Sequence, residues 1–315
     1  MVVFLGIAKT LSQYKSQSRF PSFASQLILN LKNFNAPQQF QLQTTRNVTI
    51  QSSSQSVKLT KLSNLDSGIC EVSLDRPEAR NAIGKDMLCG LQHTLEALNK
   101  DSSVNALMVS SSVPKVFCAG ADLKEKRRMS PSEMQEFITA LRSTFFDFER
   151  LQIPTIAAIE GIALGGGLEM ALSCDIRICG EDAVLGLPET GLAILPGAGG
   201  TQRLPRLVGI SIAKEIIFTG RKIKGIDANS LGLVNFCVPS GQARAKALEI
   251  ARSINEKGPL AIRMAKQAID RGIEVNMEEA LAVEEECFEK LVHTKDRLEG
   301  LAAFAEKRKP RYTGE

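Results

Sequence analysis

The sequence has no tryptophan and only two histidines, His93 and His293. Histidine-activated nucleophiles need a histidine that can reach a serine or cysteine, and neither histidine lies in a serine- or glycine-rich motif. A zinc site needs clustered His and Cys ligands, and the seven cysteines form no Cys-x-x-Cys pair. We therefore predict no metal site. The cysteines are typical of reduced, buried thiols that behave as small apolar side chains.

Long apolar runs are also missing. No stretch approaches the roughly 18 residues that would indicate a transmembrane helix, so we expect no membrane association. Acidic residues are absent from residues 1–65, which hold seven Lys and Arg, and the first acid is Asp66. Because the whole chain carries +4, the remainder from residue 66 onward carries −3. A mildly acidic body argues against a nucleic-acid-binding surface.

An acid-free, basic and serine-rich leader is typical of an organelle transit peptide. A disordered polar tail would have a similar composition. After it, strand-like apolar runs alternate with helical patterns, which predicts βαβ units and a mainly parallel sheet. From about residue 201 the pattern becomes helical, with Gly or Pro between segments. We expect a disordered leader over 1–56, an α/β core over 57–250 and a helical region over 251–315.

The first motif that indicates chemistry is "VFCAGADLKE", residues 116–125. Small residues at the C-terminal end of a strand let a ligand approach backbone N–H groups closely. The alternative is an ordinary tight turn with no ligand.

The second motif, "GIALGGGLEMALSCD" (residues 161–175), places three glycines at a helix start. It lacks the last glycine of a dinucleotide fingerprint and the Gly-Lys-Ser/Thr of a phosphate loop. Glycines at a helix start expose unpaired N–H groups, which bind an anion or an oxygen that becomes anionic during reaction. The alternatives are close helix–strand packing for the glycines and stabilisation of the first helical turn for Glu169.

The third motif is "LGLPETGLAILPGAGGTQRLPR", residues 185–206, in which Glu189 follows a proline in an apolar setting. A buried carboxylate is costly unless it is paired or functional, although a solvated loop glutamate is the alternative. Taken together, the three motifs offer two backbone donors and two carboxylates. Such a set suits the addition or removal of water beside a carbonyl.

These motifs, with "DRPEARNAI" and "AKEIIFTGR", resemble the crotonase, or enoyl-CoA hydratase/isomerase, family from about Val57 to the C-terminus. The resemblance implies a spiral of β-β-α turns with a C-terminal helical trimerisation region. It implies a homo-oligomer, as a trimer or hexamer, that acts on an acyl-CoA thioester without a cofactor, since CoA is part of the substrate. The end of the chain is most similar to the mitochondrial branch, which implies the mitochondrial matrix.

The resemblance also implies roles for individual residues. The amides of Ala121 and Gly166 would form the oxyanion hole, Glu189 would protonate Cα, and Glu169 would direct water to Cβ. Contacts with CoA would come from backbone groups of Ala119, Gly120, Ala121, Asp122, Leu123, Lys124 and Gly166. Arg80, Lys124 and Lys307 are candidates near the CoA phosphates, with solvated surface charge as the alternative.

Because both glutamate positions are filled, the resemblance favours an enoyl-CoA hydratase, as used in fatty-acid or branched-chain amino-acid breakdown. A methylglutaconyl-CoA hydratase of leucine breakdown is the alternative, and it would need a cation in its acyl pocket. A catalytically silent scaffold is disfavoured. RNA binding is an alternative of another class, but the helix over 84–100 offers only Lys85 and Lys100, and a phosphate-binding face needs several cations.

Overall fold

The computed structural model of this chain describes residues 54–315 and the backbone of residues 48–50. Its strands are β1 (Val48–Ile50), β2 (Val57–Lys61), β3 (Ile69–Leu74), β4 (Ala106–Ser111), β5 (Val116–Cys118), β6 (Thr155–Ile159), β7 (Ile162–Leu164), β8 (Ile176–Gly180), β9 (Val184–Gly186), β10 (Ile223–Lys224) and β11 (Phe236–Val238). Its helices are α1 (Lys85–Asn99), α2 (Leu123–Lys126), α3 (Pro131–Glu149), α4 (Gly166–Leu172), α5 (Gly200–Val208), α6 (Ile210–Thr219), α7 (Gly225–Ser230), α8 (Ala243–Asn255), α9 (Pro259–Gly272), α10 (Met277–Val292) and α11 (Lys295–Ala305).

The strands form two sheets. The larger sheet has seven strands in the order β1-β2-β3-β4-β6-β8-β11, and the smaller has four in the order β10-β9-β7-β5. Pairing is parallel from β3 to β11 and from β5 to β9, and antiparallel at β1-β2, β2-β3 and β9-β10. The prediction of a mainly parallel sheet is confirmed.

Successive turns of the chain repeat one pattern. Each turn adds a strand to the large sheet (β4, β6, β8), then a short strand to the small sheet (β5, β7, β9). Helices α3 and α4 follow the first two of these strand pairs. This is the predicted spiral of β-β-α turns, and it brings the ends of β5, β7 and β9 side by side.

The central strands of the large sheet, β4 and β6, are mainly apolar because both of their faces are covered. Along β4, Leu107 and Val109 join one buried cluster, whereas Ala106 and Met108 join another that contains the alanines of α8. All five residues of β6 are buried, as expected for a central strand with elements on both sides.

Two predicted boundaries differ from the structure. Strand β1 pairs with β2, and Ser54 and Ser56 donate hydrogen bonds to Asp86 Oδ2. Ordered structure therefore begins upstream of residue 57, and the rest of the predicted leader lies outside the described residues. The 250/251 boundary falls inside α8, whose Ala243, Ala247 and Ala251 pack on the large sheet. The helical region beyond the core therefore begins at α9.

Helix α3 was not predicted from the sequence, although its start carries a clear signal. Ser130 Oγ accepts from the Glu133 N–H, and the Glu133 carboxylate accepts from the Ser130 N–H, which is a capping box. Phe145 and Phe148 of α3 are fully buried. In the described part of the chain, no helix is both long enough and apolar enough to cross a bilayer.

Candidate active site

The three glycines at the start of α4 serve three local geometries. Gly165 adopts φ 51° and ψ −127°, a combination that is essentially restricted to glycine. A Cβ at residue 165 would lie 2.9 Å from Glu189 Oε1. A Cβ at residue 167 would overlap the carbonyl oxygen of Cys118, at the end of β5. Gly167 therefore lets α4 pack against β5, and Gly165 leaves room for the carboxylate.

The middle glycine lies beside the second glycine-rich turn. A Cβ at residue 166 would be 3.5 Å from the Ala121 backbone nitrogen, so the two N–H groups predicted to form an oxyanion hole are neighbours. Gly166 is the first residue of α4, where an N–H has no intrahelical acceptor. The parallel bridge at Ile83 uses the Gly120 carbonyl and the Asp122 N–H. The Ala121 N–H therefore takes no part in the hydrogen bonds of this bridge.

Glu169 lies on the first turn of α4 and is 3% exposed. Its Oε1 accepts hydrogen bonds from the N–H groups of Ala198 and Gly200, both at 2.8 Å. Burial raises the pKa of Glu169, while these two donors and the charge of Arg203 oppose the rise. The two amides fix the side chain and stabilise its charged form.

Glu189 begins a 3₁₀ turn, Glu189–Leu192, directly after Pro188. Its Oε2 is buried and has no hydrogen-bond partner among the described residues. Burial raises the pKa of Glu189 to about 7, and the charge of Glu169 adds to the rise. An unpartnered buried oxygen favours the neutral acid.

The two carboxyl groups interact, because the charge of Glu169 raises the pKa of Glu189. Two charged carboxylates close together are unfavourable, so one of the pair tends to keep its proton. Two amide donors hold the negative charge on Glu169, whereas Glu189 has only its own backbone N–H near the carboxylate and leaves Oε2 without a partner among the described residues. These contacts favour the charged form of Glu169 and the neutral form of Glu189.

Backbone hydrogen bonds within the protein fix the segment that is predicted to contact CoA. The Ala119 N–H donates to the Arg80 carbonyl, and the Ile83 N–H donates to the Gly120 carbonyl. For Asp122, the N–H, the C=O and the carboxylate are all engaged within the protein. Asp122 caps α2 and pairs with Arg76, and its contact with CoA stays a prediction. Leu123 and Lys124 are exposed on α2.

The three candidate phosphate contacts lie on three different segments of the chain. Arg80 and Lys124 are both exposed and lie on either side of the Ala119–Asp122 turn. Lys307 follows α11 with a left-handed φ of 55°. Within the described residues, no hydrogen bond or ion pair joins Lys307 to this turn.

Residues 198 and 200 belong to the quoted "PGAGG" segment, but the sequence analysis did not assign their N–H groups to Glu169. Repeated glycines beside a proline were the available signal, since they too expose backbone donors. Arg203 was also missed: it donates to the Ala198 carbonyl and to the Glu149 carboxylate. It thus stabilises the loop that holds Glu169. No group of acidic, His or Cys side chains in the described residues is arranged to hold a metal ion.

A two-sheet spiral that brings two backbone N–H groups close to two carboxyl groups can stabilise negative charge that develops on a carbonyl oxygen. The chain belongs to the enoyl-CoA hydratase/isomerase family, whose model matches residues 64–315. The resemblance drawn from the motifs is confirmed.

Individual relatives of this chain are named as members of the same family. The chain is 65% identical over 274 residues to a probable mitochondrial enoyl-CoA hydratase 2 of Arabidopsis thaliana, covering 87% of this chain and 91% of the relative. It is 46% identical to a mitochondrial methylglutaconyl-CoA hydratase of Homo sapiens, covering 82% and 78%. Among solved structures, an enoyl-CoA hydratase of Bacillus anthracis matches with a TM-score of 0.80 at 46% identity, covering 83% of this chain and all of the other.

Proposed function

We propose that this protein is an enoyl-CoA hydratase, which adds water across the trans-2 double bond of an enoyl-CoA to give the 3-hydroxyacyl-CoA. The observation that carries the proposal is the pair Glu169 and Glu189 beside the amides of Ala121 and Gly166. A carboxylate and a carboxylic acid held side by side can supply the base and the acid that hydration needs.

The thioester oxygen would accept hydrogen bonds from the N–H groups of Ala121 and Gly166. As water attacks Cβ, negative charge moves onto this oxygen, and two preorganised donors stabilise that charge more than they stabilise the ground state. Removing one such donor typically costs about 10²–10³-fold in kcat.

The two glutamates would divide the proton transfers. Glu169, charged and fixed by two amides, takes a proton from water while the water oxygen bonds to Cβ. Glu189, whose pKa is raised to about 7, gives its proton to Cα from its neutral form. The carbon–carbon double bond becomes single, one proton is gained by Glu169 and one is lost by Glu189. Proton exchange with solvent restores the starting state, so no cofactor is required.

We also propose a homo-oligomer, a trimer or a hexamer, in the mitochondrial matrix. Relatives from plants and mammals are named mitochondrial, and the acid-free leader supports import. Helices α9 to α11 expose large apolar side chains, including Leu298, Leu301 and Phe304 at 61%, 58% and 86%. Exposed apolar surface of this kind marks protein–protein contacts.

RNA binding is not proposed. Helix α1 carries Lys85 at its start, and this side chain is paired with Glu133. A cation already paired with a carboxylate contributes less to phosphate binding.

The proposal is tested by following the loss of the conjugated enoyl thioester of crotonyl-CoA in ultraviolet absorbance. The wild type is expected to hydrate it, and Glu169→Gln is expected to lose about 10²–10⁴-fold in kcat. Glu181→Gln, at an exposed position, is the matched control with the same chemical change. Absence of hydration of any enoyl-CoA by the folded wild type would refute the function.

A further inference from the structure

An apolar pocket lies between α2, α3 and the segment that follows Glu189. Its volume is about 660 Å³, within the usual range for a small-molecule site. One wall comes from α2, directly after the Ala121 amide, and the opposite wall from the segment between Glu189 and Ala198. The apolar side chains that line it are Leu123, Met134, Ile138, Leu192, Ile194 and Leu195.

Each wall is continuous along the chain with a residue of the candidate active site. Helix α2 starts two residues after Ala121, and the opposite wall ends at Gly197, next to the amide that holds Glu169. A thioester held by Ala121 and Gly166 would therefore direct its acyl chain into this pocket.

Three cations interrupt the apolar lining: Lys126, Arg127 and Arg142. Arg142 is partly engaged, because its Nε donates to the Gly197 carbonyl at 2.9 Å. Lys126 is half-buried, and within the described residues its ammonium forms no ion pair. Its nearest acidic neighbours along the chain, Asp122 and Glu125, are both paired with Arg76.

Lys126 lies close enough to the two glutamates for its charge to affect them. Its charge lowers the pKa of both Glu169 and Glu189, so the ammonium acts on both glutamates that flank Cα and Cβ. An ammonium in an apolar pocket is costly without a counter-charge. Because the two glutamates are engaged in proton transfer, the missing partner is best supplied by the substrate.

Resting on the proposed hydratase function, we propose that Lys126 is a specificity-determining residue that pairs with a carboxylate on a short acyl chain. The preferred substrates are enoyl-CoA thioesters whose acyl chain ends in a carboxylate close to Cβ. A reaction that supplies such a substrate must leave the carboxylate at the end of the acyl chain free while the other carboxyl group is the CoA thioester.

The test compares two substrates of equal chain length, glutaconyl-CoA and trans-2-pentenoyl-CoA, which differ by a carboxylate in place of a methyl group. The measured quantity is the ratio of their kcat/KM values. The ratio cancels any effect that loss of the Lys126 charge has on the two glutamates, since both substrates use the same pair.

The expected result is a fall of about 10- to 100-fold in this ratio for Lys126→Met, as for the loss of a charge-assisted hydrogen bond. Lys126→Arg should retain most of the preference. Arg128→Met removes a charge from the next turn, outside the pocket lining, and should leave the ratio unchanged. Circular dichroism of each variant confirms folding, and Lys126→Gln provides a second variant.

A ratio that changes less than about threefold in both Lys126→Met and Lys126→Gln would overturn the proposal, because a lysine that binds the CoA phosphates affects both substrates equally. A wild type that hydrates pentenoyl-CoA but not glutaconyl-CoA would also overturn it and leave the hydratase function standing. A wild type that hydrates neither would refute both.

Discussion

The raised pKa of Glu189 predicts a pH dependence of stability that one substitution should remove. The carboxyl pKa moves from 4.5 to about 7 on folding, through burial first and the charge of Glu169 second. Between these values the folded protein keeps a proton that the unfolded chain releases. The Glu189 contribution is therefore fully present below about pH 4.5 and is lost as the pH rises through about 7.

The size of the effect follows from the shift. The full shift corresponds to about 3 kcal/mol, and solvent screening at this partly exposed group reduces the expectation to about 1–2 kcal/mol. Glu189→Gln keeps the shape but cannot titrate. Relative to the wild type, the variant should gain about 1–2 kcal/mol of unfolding free energy on going from about pH 5 to about pH 8.

The assay is urea unfolding of both proteins at these two pH values, at one protein concentration, because subunit association also contributes to stability. Glu181→Gln is the control for the substitution itself. An equal stability difference between Glu189→Gln and wild type at both pH values would refute the reasoning, as would a difference of the opposite sign.

Three further predictions concern the glycines and the exposed helices. Gly165→Ala places a methyl group 2.9 Å from Glu189 Oε1 and should lower kcat about 10–100-fold; a kcat equal to that of Gly191→Ala, whose Cβ meets nothing within 4 Å, would contradict it. Gly167→Ala should instead lower the unfolding free energy by about 1–3 kcal/mol, and urea unfolding no different from that of Gly191→Ala would contradict it. Phe304→Asp should reduce the mass measured by light scattering, whereas Leu65→Asp, at a 90% exposed site outside helices α9 to α11, should not; an unchanged mass for Phe304→Asp would contradict the interface.

Much of the site could be predicted from the sequence because its residues are of unusual types for their positions. Glycines at a helix start are costly, and a glutamate in an apolar turn is costly too, so both were visible as exceptions. The contacts that complete the site were not visible. The N–H groups of Ala198 and Gly200 reach Glu169 from about thirty residues away, and backbone donors leave little trace in side-chain identity.

The fold was predicted unevenly for a similar physical reason. Buried strands such as β6 can be recognised in the sequence as apolar runs. Strands β5, β7 and β9 have three residues each, too few for an alternating pattern to be recognised. The repeated β-β-α turn was therefore expected from the family resemblance and not from periodicity. It is the small sheet built from these short strands that aligns the turns that follow them, at Ala121, Gly165 and Glu189.

The structure also separates the roles of the three glycines at the start of α4. Gly167 serves packing against β5, which was the alternative interpretation of the motif. Gly165 leaves room for Glu189, and Gly166 presents its N–H beside that of Ala121. The start of α4 therefore contains one glycine that allows packing and two that shape the candidate active site.

The most direct test of the central claim is the hydration rate of crotonyl-CoA by Glu169→Gln, Glu189→Gln and the double variant. If the two carboxyl groups act as one base–acid unit, each single variant loses about 10²–10⁴-fold in kcat, and the double variant loses little more than the worse single variant. Single variants within a few-fold of the wild-type rate would contradict the account, as would losses that simply multiply in the double variant.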